Sequence, residues 1–97
     1  MTAAEPEFWD VLVEVSPLEE IADPQGATIE RSLPALGFDT ADHVRVGKAI
    51  RLRLRAESHA DADACVRRMC ERLLVNPVIE QARIEIVPAQ AGPAQQQ

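Results

Sequence analysis

Residues 8–15, Phe8-Trp9-Asp10-Val11-Leu12-Val13-Glu14-Val15, set Trp9, Val11, Val13 and Val15 on one side of an extended chain and Asp10 and Glu14, with Phe8 and Leu12, on the other. Side chains alternate across a strand, so this spacing predicts a strand with one fully apolar face that a second layer must cover. Ser16-Pro17 ends it. A second stretch has the same period: Ile50, Leu52, Leu54 and Ala56 alternate with Arg51, Arg53 and Arg55. Val44 and Val46 precede it across Gly47-Lys48, and this pattern predicts a hairpin from about His43 to Ala56 with Arg45 on the strand facing the arginine stripe.

Between these strands the period lengthens. After the connector 18–22, Asp23 is placed to accept backbone N–H groups as a helix N-cap, and Pro24 takes the first helical position, where its missing N–H costs nothing. Ile29, Leu33 and Leu36 then recur at helical spacing, and Gly37 supplies a left-handed end. Pro34 conflicts with a continuous helix, because its ring removes the bond to the carbonyl of Glu30, so a kink or split is expected near Leu33. Ser58 and Asp61 have the spacing of a capping-box variant at the start of a second helix that runs through Leu74. Its expected inner face is Ala62, Val66, Met69, Cys70 and Leu73. Asn76-Pro77 stops that helix, and Ala82, Ile84 and Ile86 alternate into a last strand.

The order strand, helix, strand, strand, helix, strand predicts an α+β two-layer βαββαβ sandwich of ferredoxin-like type, with both helices on one face of an antiparallel sheet. Residues 7–87 are expected to form the single domain, with residues 1–6 and 88–97 disordered, since both ends are poor in packing groups. A chain of 97 residues buries a modest share of its surface and favours stabilisation by association, so a dimer or a subunit is expected, with exposed strand edges and apolar face residues joining two copies so that dimerisation extends the sheet.

Sixteen acidic against ten basic residues give a net charge of -6, which repels a phosphate backbone. The arginine stripe carries no interleaved aromatic groups that would make it a platform for single-stranded RNA. It is expected to be a solvated face first and a protein contact second. The N-terminus lacks the basic and apolar regions of a secretion signal, and no apolar run approaches the roughly 18 residues that span a bilayer, so a cytoplasmic protein is expected. Cys65 and Cys70 lie five apart on a helix, about 140° from one another, which suits two reduced thiols rather than a bridge or a shared metal.

No nucleophile stands with a base, no carboxylates pair, and no phosphate-binding glycine loop is present. The polar features left are Asp23, Pro24, Gln25 and Gly26 at the start of helix one, and Arg45, Gly47 and Lys48 in the expected hairpin. Gly26 weakens the first helical turn by up to about 1 kcal/mol relative to alanine, which makes sense if another backbone approaches closely there. On the residues alone the chain is a small acidic binding module without catalytic groups. A free-standing regulatory domain that binds a small metabolite at a dimer interface is an alternative, and an RNA-binding module is another.

The strand ending in Ser16-Pro17, then Asp23-Pro24-Gln25-Gly26, the helix ending Leu36-Gly37-Phe38, Val44-Arg45-Val46-Gly47-Lys48, and the run from Cys70 to Glu80 together resemble the PurS family. That family is the small subunit of phosphoribosylformylglycinamidine synthase, also called formylglycinamide ribonucleotide amidotransferase. The resemblance implies a non-catalytic subunit of an ATP-dependent, glutamine-using C–N ligase complex of purine biosynthesis. Such a subunit dimerises, and bridges a glutaminase subunit to the large synthetase subunit so that ammonia passes between them. It further implies no cofactor in this chain, with ATP, magnesium and glutamine used by the complex, and assembly as a homodimer or a tetramer. Carried over position by position, it puts partner contacts at Asp23, Pro24, Gln25 and Gly26, with Arg45, Gly47 and Lys48 as a second patch. Replacement of Gly26 is then expected to weaken assembly while leaving the fold intact. One departure is the connector Leu18-Glu19-Glu20-Ile21-Ala22, which is acidic where the family usually carries a basic residue.

Overall fold

The computed structural model describes residues 7–89. Three strands form one antiparallel sheet: β1 (Glu7–Pro17), β2 (Lys48–Ala56) and β3 (Glu80–Pro88), in the order β2-β1-β3. β1 lies in the middle, as its apolar face requires. Trp9, Val11, Val13 and Val15 are buried, with Val13 fully removed from solvent. Each of these side chains gains roughly 1.5–3 kcal/mol on leaving water, which makes this strand the main source of core stability. The Trp9 indole donates to the Ala56 carbonyl at 3.2 Å, so its burial leaves no donor unmatched.

Helix α2 (His59–Met69) covers that face. Ser58 caps it by accepting the Asp61 N–H at 3.0 Å, and Ala62 and Val66 are completely buried against the sheet. The Val11, Val13, Val15 and Val66 cluster is flanked by half-buried Ile50, Leu52 and Leu54 of β2 and Ile84 and Ile86 of β3. From Cys70 to Leu74 the helix widens into a π-helical turn, closed by the Val75 N–H on the Cys70 carbonyl at 3.1 Å. This i→i+5 turn inserts one residue into the helical period. Leu73, expected on the inner face, is therefore 83% exposed, and Leu74 takes the place beside the core.

Helix α1 (Pro24–Ser32) begins at Asp23 and stops before Pro34 as expected, with a 3-10 turn, Pro34–Leu36, and left-handed Gly37 at φ 96° completing the end. The expectation that α1 packs beside α2 on the sheet is corrected. Of its residues only Gly26 is buried, and Ile29, Leu36 and Phe38 stay exposed. Residues 18–47 instead form an arm between the paired ends of β1 and β2, where Val15 stands opposite Lys48.

The α+β ferredoxin-like layout holds with three strands rather than the four of βαββαβ. No strand forms at 43–46, and Gly47-Lys48 is not a hairpin turn, since Lys48 already begins β2. The reason is a competition for backbone donors: Val44 and Val46 give their N–H groups to side chains of the arm. At the other end β3 runs through Pro88, and the Ala89 N–H bonds the Phe8 carbonyl at 2.9 Å, so the ordered chain passes the expected boundary at 87. The rest of the expected tail, residues 90–97, and the expected disordered start, residues 1–6, lie outside the described residues.

Candidate functional site

The arm is organised around one carboxylate. Asp23 Oδ1 accepts the Gly26 N–H at 3.1 Å, which is the helix cap read from the sequence. Its second oxygen, Oδ2, accepts the Val46 N–H at 2.8 Å. The same residue thus starts α1 and ties down the chain returning toward β2. Seven residues further along α1, and so two turns away on the same side, Glu30 Oε1 accepts the Val44 N–H at 3.1 Å. Because alternate residues of an extended segment point in opposite directions, Arg45 leaves on the other side. Its Nη2 donates to the carbonyls of Leu18 at 2.7 Å and Ile21 at 3.0 Å.

These contacts join the two patches expected from the sequence into one braced unit. Asp23, Gly26 and Arg45 work inside it. A Cβ on Gly26 would collide with Asp23 Oδ2 and stand 2.5 Å from the Val44 carbonyl oxygen. The close backbone inferred from this glycine is real, but it belongs to the chain's own returning segment rather than to a partner. The expectation that a bulky residue at 26 leaves the fold intact is therefore corrected: it would push residues 44–46 off the helix. Gly47 is constrained in the same way by the Val15 carbonyl at the end of β1. Of the expected site Gly26 is buried and Asp23 half-buried, while Pro24, Gln25, Arg45, Gly47 and Lys48 are exposed, Arg45 with its guanidinium bonded back onto the arm. Lys48 lines a shallow groove with Glu14, Gln81 and Arg83 at the base of the arm.

Glu30 was not singled out by the sequence reading. The signal that could have found it is its seven-residue spacing from Asp23, which gives two acceptors on one helix face and invites two donors from a neighbouring extended segment. His43, in the left-handed region at φ 55°, turns the chain into that segment and bonds Asp42 at 3.1 Å.

Electrostatics follow the geometry. The N–H groups of Val46 and then Gly26 stabilise the ionised Asp23 and hold its pKa below the ordinary 3.8, with Arg45 adding to the effect against partial desolvation. Hydrogen bonding to Asp42 raises the pKa of His43. Burial raises that of the Cys70 thiol, which makes it a poor nucleophile at neutral pH. Cys65 and Cys70 are both free. Among the described residues no three His, Cys, Asp or Glu side chains gather as metal ligands, and no helix is long and apolar enough to cross a membrane.

A three-stranded ferredoxin-like sheet that carries a braced polar arm defines a small α+β domain. Comparison with known proteins gives the class a name. The family profile described as PurS, phosphoribosylformylglycinamidine (FGAM) synthase, matches residues 10–88. The phosphoribosylformylglycinamidine synthase subunit PurS of Bacillus subtilis is 38% identical over 79 residues, covering 81% of this chain and 93% of the relative. The crystal structure of the Thermotoga maritima PurS subunit superposes with a TM-score of 0.79 at 32% identity, over 86% of this chain and 95% of that one. A chain in the structure of PurLQS from Thermotoga maritima matches with a TM-score of 0.77 at 34% identity, over 82% of this chain and 98% of that one. The chain belongs to the PurS family.

Proposed function

We propose that this chain is the non-catalytic small subunit of phosphoribosylformylglycinamidine synthase in purine biosynthesis, bridging the glutaminase and synthetase subunits and assisting the passage of ammonia between them. The observation that carries this reading is the match over nearly the whole length of PurS chains, one of them in the PurLQS structure. The chemistry of the chain is compatible with it, because Asp23, Glu30 and Arg45 of the braced arm are engaged in holding its shape. ATP, magnesium and glutamine then belong to the larger subunits, and the complex works in the cytoplasm. Exposed Ile29, Leu36 and Phe38 on the arm, and the unpaired outer edges of β2 and β3, favour association of the chain as a homodimer.

Within this reading, the contact with the larger subunits is the exposed crest of the cap, Pro24 and Gln25, together with Lys48. Asp23, Gly26, Arg45 and Gly47 hold the shape of the arm that presents this surface. Co-sedimentation with the synthetase and glutaminase subunits tests it. Gln25→Ala and Lys48→Ala are expected to weaken assembly by about tenfold between them, equivalent to about 1.4 kcal/mol, with the fold unchanged by circular dichroism. Unchanged assembly of the double variant would remove the cap from the contact.

A further inference from the structure

The two outer edges of the sheet differ in charge. β2 carries Ile50, Leu52 and Leu54 on the side that faces the core, and Arg51, Arg53 and Arg55 on the side away from α2. These arginines form a basic stripe on a chain whose net charge is -6. Arg53 is matched by Asp10 at 3.0 Å, whereas Arg51 and Arg55 are exposed and enter no ion pair among the described residues. On the core side, Ile50, Leu52 and Leu54 are only half-buried, while Val13, Val11 and Trp9, which stand opposite them on β1, are buried. The difference lies in the neighbours, since β1 has a strand on either side and β2 has one. The outer flank of β2 thus leaves open both a row of backbone N–H and C=O groups and the margin of the apolar face.

Neighbouring strands of one sheet set side chains of the same face opposite one another, about 5 Å apart. Pairing of this edge with the same edge of another copy therefore puts arginine against arginine in every register that keeps the apolar sides together. Like charges directly opposite destabilise such a ladder. The outer edge of β3 has no such bar, because Arg83 and Glu85 alternate in sign along it. Of the two edges it is the one that suits a copy, which leaves the edge of β2 to another occupant. We propose that the outer edge of β2 takes up an extended segment of a different protein, in which carboxylate side chains alternate with apolar ones. The carboxylates of this added strand stand beside Arg51, Arg53 and Arg55, and its apolar groups continue the row of Ile50, Leu52 and Leu54. Main-chain hydrogen bonds supply the affinity any strand would gain there, and the alternation of charge and apolar surface supplies the selectivity. The partner is defined by this chemistry alone, and the proposal does not rest on the functional reading above.

The test uses the full chain and a labelled peptide of 9 residues, the length of β2, that alternates glutamate with valine. The controls are a peptide alternating lysine with valine, and one with the same glutamates and valines grouped in separate blocks. Fluorescence anisotropy is expected to show the alternating glutamate peptide binding at least about tenfold more tightly than either control, and amide exchange to slow at every second residue of β2. Arg51→Glu combined with Arg55→Glu is expected to weaken this binding by at least about tenfold and to favour the lysine peptide. Should that variant fail to fold, Arg51→Gln with Arg55→Gln removes the charge without reversing it and is expected to weaken binding severalfold at an unchanged circular dichroism spectrum. Absence of binding, equal binding of the alternating and blocked peptides, or binding that leaves the amides of β2 unprotected overturns the proposal. So does protection of those amides that rises with protein concentration before any peptide is added, since that result gives the edge to a second copy. Displacement of the peptide by an oligouridylate likewise overturns it, giving the stripe to RNA.

Discussion

Asp23 carries more of the structure than a helix cap usually does, because each carboxylate oxygen holds a different segment. Its depressed pKa has a definite sign in stability: ionised Asp23 is favoured by the folded state, so its contribution is complete above the ordinary carboxylate value of 3.8 and is lost as pH falls through its lowered value. The amides of Gly26 and Val46 should keep their protection from about pH 7 to about pH 5 and lose it in the acid range below the ordinary carboxylate value. Val13, in the core, should hold. Asp23→Asn should loosen residues 44–46 at neutral pH and abolish the acid response, as read by amide exchange corrected for the intrinsic rate. An unaltered acid response in Asp23→Asn would assign the transition to another group. The cap itself was legible in Asp23-Pro24, since capping is local. Its second bond was not, because Val46 lies 23 residues away and its alternation with Val44 looks like an ordinary strand.

Among the elements, the difference between expectation and structure at the end of α2 has a single cause. Met69, Cys70 and Leu73 fit a regular helical face, and so, nearly as well, do Cys70 and Leu74. Packing alone chooses between them, and the π-helical turn at Cys70–Leu74 realises the second set. The consequence is measurable by urea unfolding. Leu74→Ala should cost about 1–3 kcal/mol, in keeping with a half-buried leucine truncated against a core. Leu73→Ala should stay within about 0.5 kcal/mol, the range of exposed substitutions. Equal costs would mean that the helix keeps its regular register. The split of α1 at Pro34 was legible for the opposite reason: proline acts on its own turn, whatever packs around it.

At the scale of the molecule, the sheet, its central strand and the covering α2 were legible because burial imposes the period-two pattern on β1, β2 and β3. The placement of the arm was not. Ile29, Leu33 and Leu36 promise a helix that packs on its own sheet, yet the bonds from Val44 and Val46 to Glu30 and Asp23 hold α1 against the returning segment instead. The result is a subunit with exposed apolar groups on the arm and a bare sheet face, features suited to assembly rather than to chemistry.

In the proposed function this chain joins subunits without performing catalysis. Its most direct test is amidine synthesis by the synthetase and glutaminase subunits, with and without this protein, using either glutamine or free ammonia as the nitrogen source. The glutamine-dependent reaction should require the chain, while the ammonia-dependent reaction should change far less. Equal dependence of both reactions on the chain, or no dependence of either, would contradict it.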